Sequence, residues 1–205
     1  MKKTDDSLAT LKNKQILKAA LTVFSTYGLQ GANLEKIAET ANVSKSNLFY
    51  YFESKEELYV AVLSSVLEEW LNPLDYFTEN SEPKEVLTQY IEMKYEISKR
   101  NPQASRLYAL EMIQGAPYLT HILKKHLKPR VRKKVEIIYT WIEQGKIKDI
   151  SPLHLILHIW AVTQHYADFE TQIQLISGHS LKNKNFKATA LETTKMLLID
   201  NLIKP

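Results

Sequence analysis

Cysteine is absent from the 205 residues. That excludes disulfides, thiol nucleophiles, iron–sulfur clusters and cysteine-ligated zinc, and it suits a reducing compartment. Glycine and proline are scarce, at 5 and 7 occurrences. A sandwich or barrel needs a turn signal about every 8–12 residues, so the chain is predicted to be all-α. The longest uncharged stretch, 150–167, holds Pro152, Thr163, Gln164 and several histidines. It reads as a buried helix, not a bilayer span. The start, Met1-Lys2-Lys3 followed by Thr4-Asp5-Asp6, lacks the apolar segment of a signal peptide, and a cytoplasmic location is expected. Neither sign of charge dominates: 27 basic against 23 acidic residues leave +4, which permits nucleic-acid binding without requiring it. A glycine-rich phosphate loop, a Gly-x-Ser-x-Gly elbow and a recognisable carboxylate pair are all missing, so neither catalysis nor a cofactor is expected.

What is present is helical periodicity. Ile16, Ala20, Val23, Phe24 and Tyr27 predict a first helix from Lys12 to Tyr27, stopped by Gly28. Asn33 is placed to cap a short second helix with the face Leu34, Ile37, Ala38 and Ala41. Ser44 caps a third, with Leu48 and Phe52 or Tyr51 inward. Ser54 opens a fourth, where Glu57 completes a capping box and Pro73 bends or ends the run. Later starts are expected at Pro102, Pro117 and Pro152, and a stop at Gly145. Helices over 153–169 and 186–203 carry more apolar residues than one stripe needs, which predicts a subunit interface built as a bundle.

The two short helices between Asn33 and Tyr51 have the dimensions of a helix-turn-helix, whose second helix enters the major groove. Ser44, Lys45, Ser46, Asn47 and Tyr50 are polar-tipped and outward. Asn47 suits adenine, and Lys45 suits guanine or a phosphate. On spacing alone, a solvated face in an ordinary bundle stays open beside DNA binding.

The run from Val43 to Leu58, preceded by Gly31-Ala32-Asn33-Leu34-Glu35-Lys36-Ile37-Ala38, resembles the DNA-binding segment of TetR-type repressors. The resemblance implies an N-terminal three-helix domain with the helix-turn-helix, joined to a C-terminal helical bundle for ligand binding and dimerisation. Domain limits are expected at 1–11 for a disordered tail, 12–53 for DNA binding and 54–205 for ligand and dimer. The resemblance also implies that Asn33 and Ser44 cap helices near phosphates, that Tyr50 and Lys55 touch phosphate, and that Lys45, Ser46 and Asn47 face bases. Asn33 stands where threonine is commoner, and as a cap it loses little.

Further blocks, Asn101 to Leu107, Glu111-Met112 with Gly115-Ala116-Pro117, and Trp160 to Phe169, resemble the RutR subgroup of regulators of pyrimidine utilisation. The implied effector is uracil or thymine. A pyrimidine needs flat apolar faces and an amide-like edge. Gln164 offers a donor and an acceptor, with Trp160 one turn earlier on the same face. Trp70, Tyr76, Tyr108 and Met112 are candidate walls, and Ser105 or Arg106 a partner for a carbonyl oxygen. Each aromatic also has the plainer reading of a core residue. The blocks at 124–134 and 182–187 match less well.

His154 and His158 share a helix face with His165 beyond, but no carboxylate sits among them as in a metalloprotease helix. No metal is expected, and His165 with Asp168 reads as an internal hydrogen-bonded pair. Lys124, Lys125, Lys128, Arg130, Arg132, Lys133 and Lys134 read as a solvated basic face, with a second DNA contact or an acidic partner as the alternative. The expectation is a homodimeric regulator that binds a palindromic operator and a small molecule, and no membrane. A regulator of an unrelated ligand, a helical adaptor and an enzyme remain as alternatives.

Overall fold

The computed structural model describes residues 2–203, with side-chain surroundings from residue 10 onward. Met1 of the predicted tail and residues 204–205 of the second predicted domain lie outside the described residues. Helix α1 (Lys2–Gly31) begins within the stretch read as tail, where neither glycine nor proline interrupts the backbone. Its regular course breaks at Gly28, with φ 66° and ψ 178°. That left-handed φ is one an L side chain adopts only at a cost.

The next three helices start on side-chain caps. Asn33 accepts the Glu35 N–H at 2.7 Å and opens α2 (Leu34–Thr40). Ser44 accepts the Asn47 N–H at 3.1 Å and opens α3 (Lys45–Tyr51). Ser54 accepts the Glu57 N–H at 3.0 Å and opens α4 (Lys55–Leu71). The capping box expected there is only half made. Glu57 takes the N–H of Glu53 at 2.6 Å, one residue upstream of the residue a box would use. Between α2 and α3, Asn42 takes φ 51° and the Val43 N–H reaches back to the Ala38 carbonyl at 3.0 Å. This closes the turn in a few residues, because asparagine tolerates the left-handed region.

The chain forms two compact units, residues 1–67 with 106–120, and residues 68–105 with 121–205. In the first, Ile16, Ala20, Phe24, Ile37, Leu48 and Leu58 are buried. Phe24 meets Tyr59 edge-on with ring centres 5.1 Å apart. Glu111 is also buried there, accepting the Tyr59 hydroxyl at 3.2 Å and the Tyr118 N–H at 2.8 Å. Burial, then the Glu111 charge, raise the Tyr59 phenol well above its ordinary pKa.

In the second unit, α4 ends in a 3-10 turn (Asn72–Tyr76) that contains Pro73, as the proline demands. Then follow α5 (Pro83–Arg100) and α6 (Pro102–Ile113), the latter reaching into the first unit. Pro117 does not start a helix. It lies in a turn set up by Ala116 at φ 55°, and α7 (Thr120–Ile122) begins three residues later. A π segment (Leu123–Leu127) leads into α8 (Lys128–Glu143). Gly145, at φ 72°, ends that run as expected. Helices α9 (Pro152–Asp168), α10 (Glu170–Ser177) and α11 (Lys184–Lys195) complete the order, α11 passing into a π segment (Met196–Asp200). The final helix therefore starts two residues before Phe186, on the Asn183 cap, which accepts the Phe186 N–H at 3.0 Å. Phe77 packs between Tyr90 and Trp141, with ring centres 5.2 and 5.6 Å away. Among the described residues there is no strand, only an isolated bridge between Ile147 and Ile203.

The basic run at 124–134 is not one solvated face. Lys134 is buried and donates to the Phe77 carbonyl at 3.1 Å, and Arg130 pairs with Glu68 at 2.8 Å. Both positions point back into their own unit, since Lys134 is in phase with buried Ile137, Ile138 and Trp141.

A Cβ placed on Gly28 meets nothing within 4 Å, so only its backbone conformation resists a side chain. Gly28→Ala is expected to lower stability by about 1–2 kcal/mol, read from a urea melt. An unchanged midpoint would show that the break in α1 relaxes without cost.

Candidate functional site

The face of α3 is built by subtraction. Leu48 and Phe52 are buried, and that leaves Lys45, Ser46, Phe49 and Tyr50 outward. Tyr50 is 82% exposed, its ring edge-on to that of Tyr51 with centres 5.2 Å apart. Asn47 is half-buried. The Ser44 and Ser46 hydroxyls lie 3.0 Å apart.

Lys45 forms an ion pair with Glu35 of α2, which spans the turn between the two helices. The Lys45 bond, then the backbone N–H of Glu35 itself, hold the Glu35 carboxyl below the usual carboxylate range. Lys55 donates to the carbonyls of Gln30 and Ala32, at 3.3 and 3.2 Å. An ammonium has three donors, so one is left over for a further acceptor. A shallow depression of about 430 Å³ brings Asn33, Lys45 and Lys55 together with Phe49. Beside it, Lys36 donates to the Tyr27 hydroxyl at 2.6 Å and lies 4.5 Å from the centre of that ring. The sequence reading missed Lys36 and Phe49. Phe49 was legible: once Leu48 and Phe52 are assigned inward, the residue between them and Tyr50 must face out.

The candidate effector residues divide between the units. Arg106, Tyr108 and Met112 belong to the first, and burial pushes the Tyr108 phenol up to about 12. Trp70, Tyr76, Ser105, Trp160 and Gln164 belong to the second. There, Trp160 donates its indole N–H to the Tyr90 hydroxyl at 2.5 Å. Gln164 is half-buried one turn later. Trp70 is buried, and the Ser105 hydroxyl donates to Asp168. Tyr76 stands apart. It is 62% exposed and lines an open cavity of about 530 Å³ with Asn72, Met93, Arg100 and Lys187, which none of the other four lines.

Lys94, absent from the sequence expectation, is the unusual group of this unit. It is 2% exposed, and its ammonium lies 4.8 Å from the centre of the Trp70 ring. Burial pulls its pKa down to about 7, against the opposing pull of Asp168. Of the histidines, His158 joins its Nδ1 to the His154 carbonyl oxygen at 2.7 Å, and the His165 ring stacks on Phe169 at 4.9 Å. Among the described residues no group of three or more histidine or acidic side chains is placed to hold a metal ion, and no helix is long and apolar enough to cross a membrane.

Residues 16–62 match the N-terminal region of bacterial regulatory proteins of the TetR family, and residues 63–204 match the YcdC-like protein C-terminal region. The chain belongs to the TetR family. It is 46% identical over 191 residues to the HTH-type transcriptional regulator RutR of Escherichia coli K12, covering 93% of this chain and 90% of that one. The HTH-type transcriptional repressor NicS of Pseudomonas putida is 26% identical, with 84% of each chain covered. A TetR family transcription regulator from Marinobacter aquaeolei superposes with a TM-score of 0.70 at 19% identity over 100% of both chains. The fatty acid degradation regulator FadR of Bacillus halodurans gives 0.67 at 18% identity over 91% and 94%. Those two share the fold alone. The depression around Asn33, Lys45 and Lys55 thus lies in the helix-turn-helix of a TetR-family transcriptional regulator, not in an enzyme.

The burial of Lys94 carries a sign for stability. Its folded pKa, about 7, lies below the value of about 10.4 expected unfolded, so between these the unfolded chain binds more protons and stability rises with pH. Measured against Lys94→Met, the wild-type urea midpoint is expected to gain from pH 7 to pH 9, by up to about 1.4 kcal/mol per unit. A gap that stays constant with pH would contradict a buried, titrating lysine.

Proposed function

We propose that the chain is a homodimeric, cytoplasmic repressor that binds an imperfectly palindromic operator and is modulated by a pyrimidine, uracil or thymine. The observation that carries this reading is the extent of the likeness to RutR, which runs through the effector half as well as the helix-turn-helix. Support on the DNA side comes from the outward face of α3. Ser46 and Tyr50, with half-buried Asn47 between them, are presented by a helix capped at Ser44 and backed by buried Leu48. In this reading Asn47, Lys45 and Ser46 read bases, while Tyr50 and Lys55 hold phosphates.

A dimer supplies two such helices. Its interface is assigned to α9 and the C-terminal segment, where Leu153, Leu157, Met196 and Leu197 are 43, 42, 54 and 61% exposed. Apolar groups concentrated this way on two elements are costly to leave wet. An effector acts by preferring the conformation whose recognition helices are badly spaced for successive major grooves. It shifts the equilibrium only by its differential affinity for the two states.

Binding, assembly and titration measurements test this. Footprinting should give a two-fold symmetric site whose affinity falls steeply with salt. Tyr50→Ala should weaken all sequences alike, whereas Asn47→Ala should relax preference at one position by about 1–3 kcal/mol. An asymmetric single half-site would overturn the dimeric reading, as would a monomeric wild type. Leu197→Glu should shift dimer to monomer in sedimentation and lose operator binding with it. For the effector, calorimetric titration with uracil, thymine, cytosine and a purine decides. Gln164→Leu should cost about tenfold or more in pyrimidine affinity, since a buried unpaired polar group costs about 1–3 kcal/mol. Absence of pyrimidine binding at millimolar concentration would remove the effector assignment and leave the regulator.

A further inference from the structure

Lys94 sits on α5 between two bonds that fasten this helix to α9. Tyr90, one turn before it, accepts from Trp160 at 2.5 Å, and Ser98, one turn after it, donates to the Thr163 carbonyl at 2.9 Å. Gln164 follows Thr163 directly and Trp160 by one turn. The ammonium therefore belongs to the seam that carries the pyrimidine-facing candidates. Its known surroundings are the face of Trp70 and the field of Asp168, whose carboxylate also accepts from Ser105. Among the described residues Lys94 makes no side-chain hydrogen bond, and its nearest aromatic neighbour is the Trp70 ring. The residue is 2% exposed, so the ammonium is held inside the unit against the Trp70 face. A cation with three donors and no acceptor is an expensive thing to keep inside a helical unit. A ring carbonyl supplies the missing acceptor.

We infer that Lys94 contacts the effector, its ammonium donating to a carbonyl oxygen of a planar ring while Gln164 meets the adjacent ring N–H. Trp70 and Asp168 position the ammonium and balance its charge. This rests on the pyrimidine reading above and adds to it the residue that recognises the carbonyl.

The test is calorimetric titration of the full chain and of Lys94→Met with uracil. Lys94→Met should bind uracil at least about tenfold more weakly, because a buried acceptor loses its charged donor. Its urea midpoint at pH 7 should be no lower than wild type, which separates a contact from a structural role. Wild-type affinity in Lys94→Met overturns the inference and leaves the pyrimidine reading standing. No uptake of uracil by wild type at millimolar concentration overturns both. Should Lys94→Met not fold, the wild type labelled with ¹³C at the lysine ε carbons gives the answer. The resonance missing from Lys94→Arg should move on adding uracil, and an unmoved signal overturns the inference.

Discussion

The seam between α5 and α9 organises the second unit. Two helices bring buried faces together there, Leu87 and Ile91 from one and Leu155, Ile156 and Ile159 from the other. The same faces carry Tyr90, Lys94, Ser98, Trp160 and Thr163. Each polar group inside such a contact needs a partner or must border accessible space, since an unmet buried donor costs about 1–3 kcal/mol. Tyr90 with Trp160 and Ser98 with the Thr163 carbonyl settle the account at two levels. Lys94 lies between those levels, against the face of Trp70 and in the field of Asp168. A simpler packing seam would have placed leucine there.

At the other end of the chain the organising physics is local. Three caps, Asn33, Ser44 and Ser54, each satisfy a helix-terminal N–H within two or three residues of themselves. Each is worth about 1 kcal/mol and fixes where a helix begins. With the starts of α2 and α3 set and Asn42 supplying the left-handed turn, the rotation of α3 is settled by Leu48 and Phe52 going inward. The outward residues are then a by-product of which ones the core took.

This explains what could be read in advance. The caps, the stop at Gly28 and the inward Leu48 are short-range matters, and the sequence carries them in a few neighbouring letters. Lys94, Lys134 and Glu111 were missed because a charged residue in an amphipathic helix ordinarily marks the wet face. Their phase was visible nonetheless. Lys94 falls a turn from Tyr90 and Ile91, Lys134 a turn before Ile137 and Ile138, and Glu111 a turn after Leu107, all of them buried. What the letters did not carry is the partner, since Lys134 meets Phe77 across 57 positions and Tyr59 meets Glu111 across 52. The divided fate of the pyrimidine candidates has the same origin. Tyr76 occupies a 3-10 turn, and nothing in its neighbours foretells that its ring faces a different cavity from Trp160.

The ion pair of Lys45 with Glu35 bears on how a regulator of this kind would search a chromosome. A bare lysine at the tip of a recognition helix is pulled by every phosphodiester it passes. This one travels with its own anion, so its far field is largely cancelled and a random phosphate gains little by approaching. Both partners are about half exposed, 50 and 58%. Such an exposed pair is weak, because solvent screens it on both sides, so opening it costs little. A sequence that offers Lys45 a well-placed acceptor easily meets that cost. On the operator-binding reading proposed above, dwell times on wrong DNA shorten while residence on the right site is hardly touched.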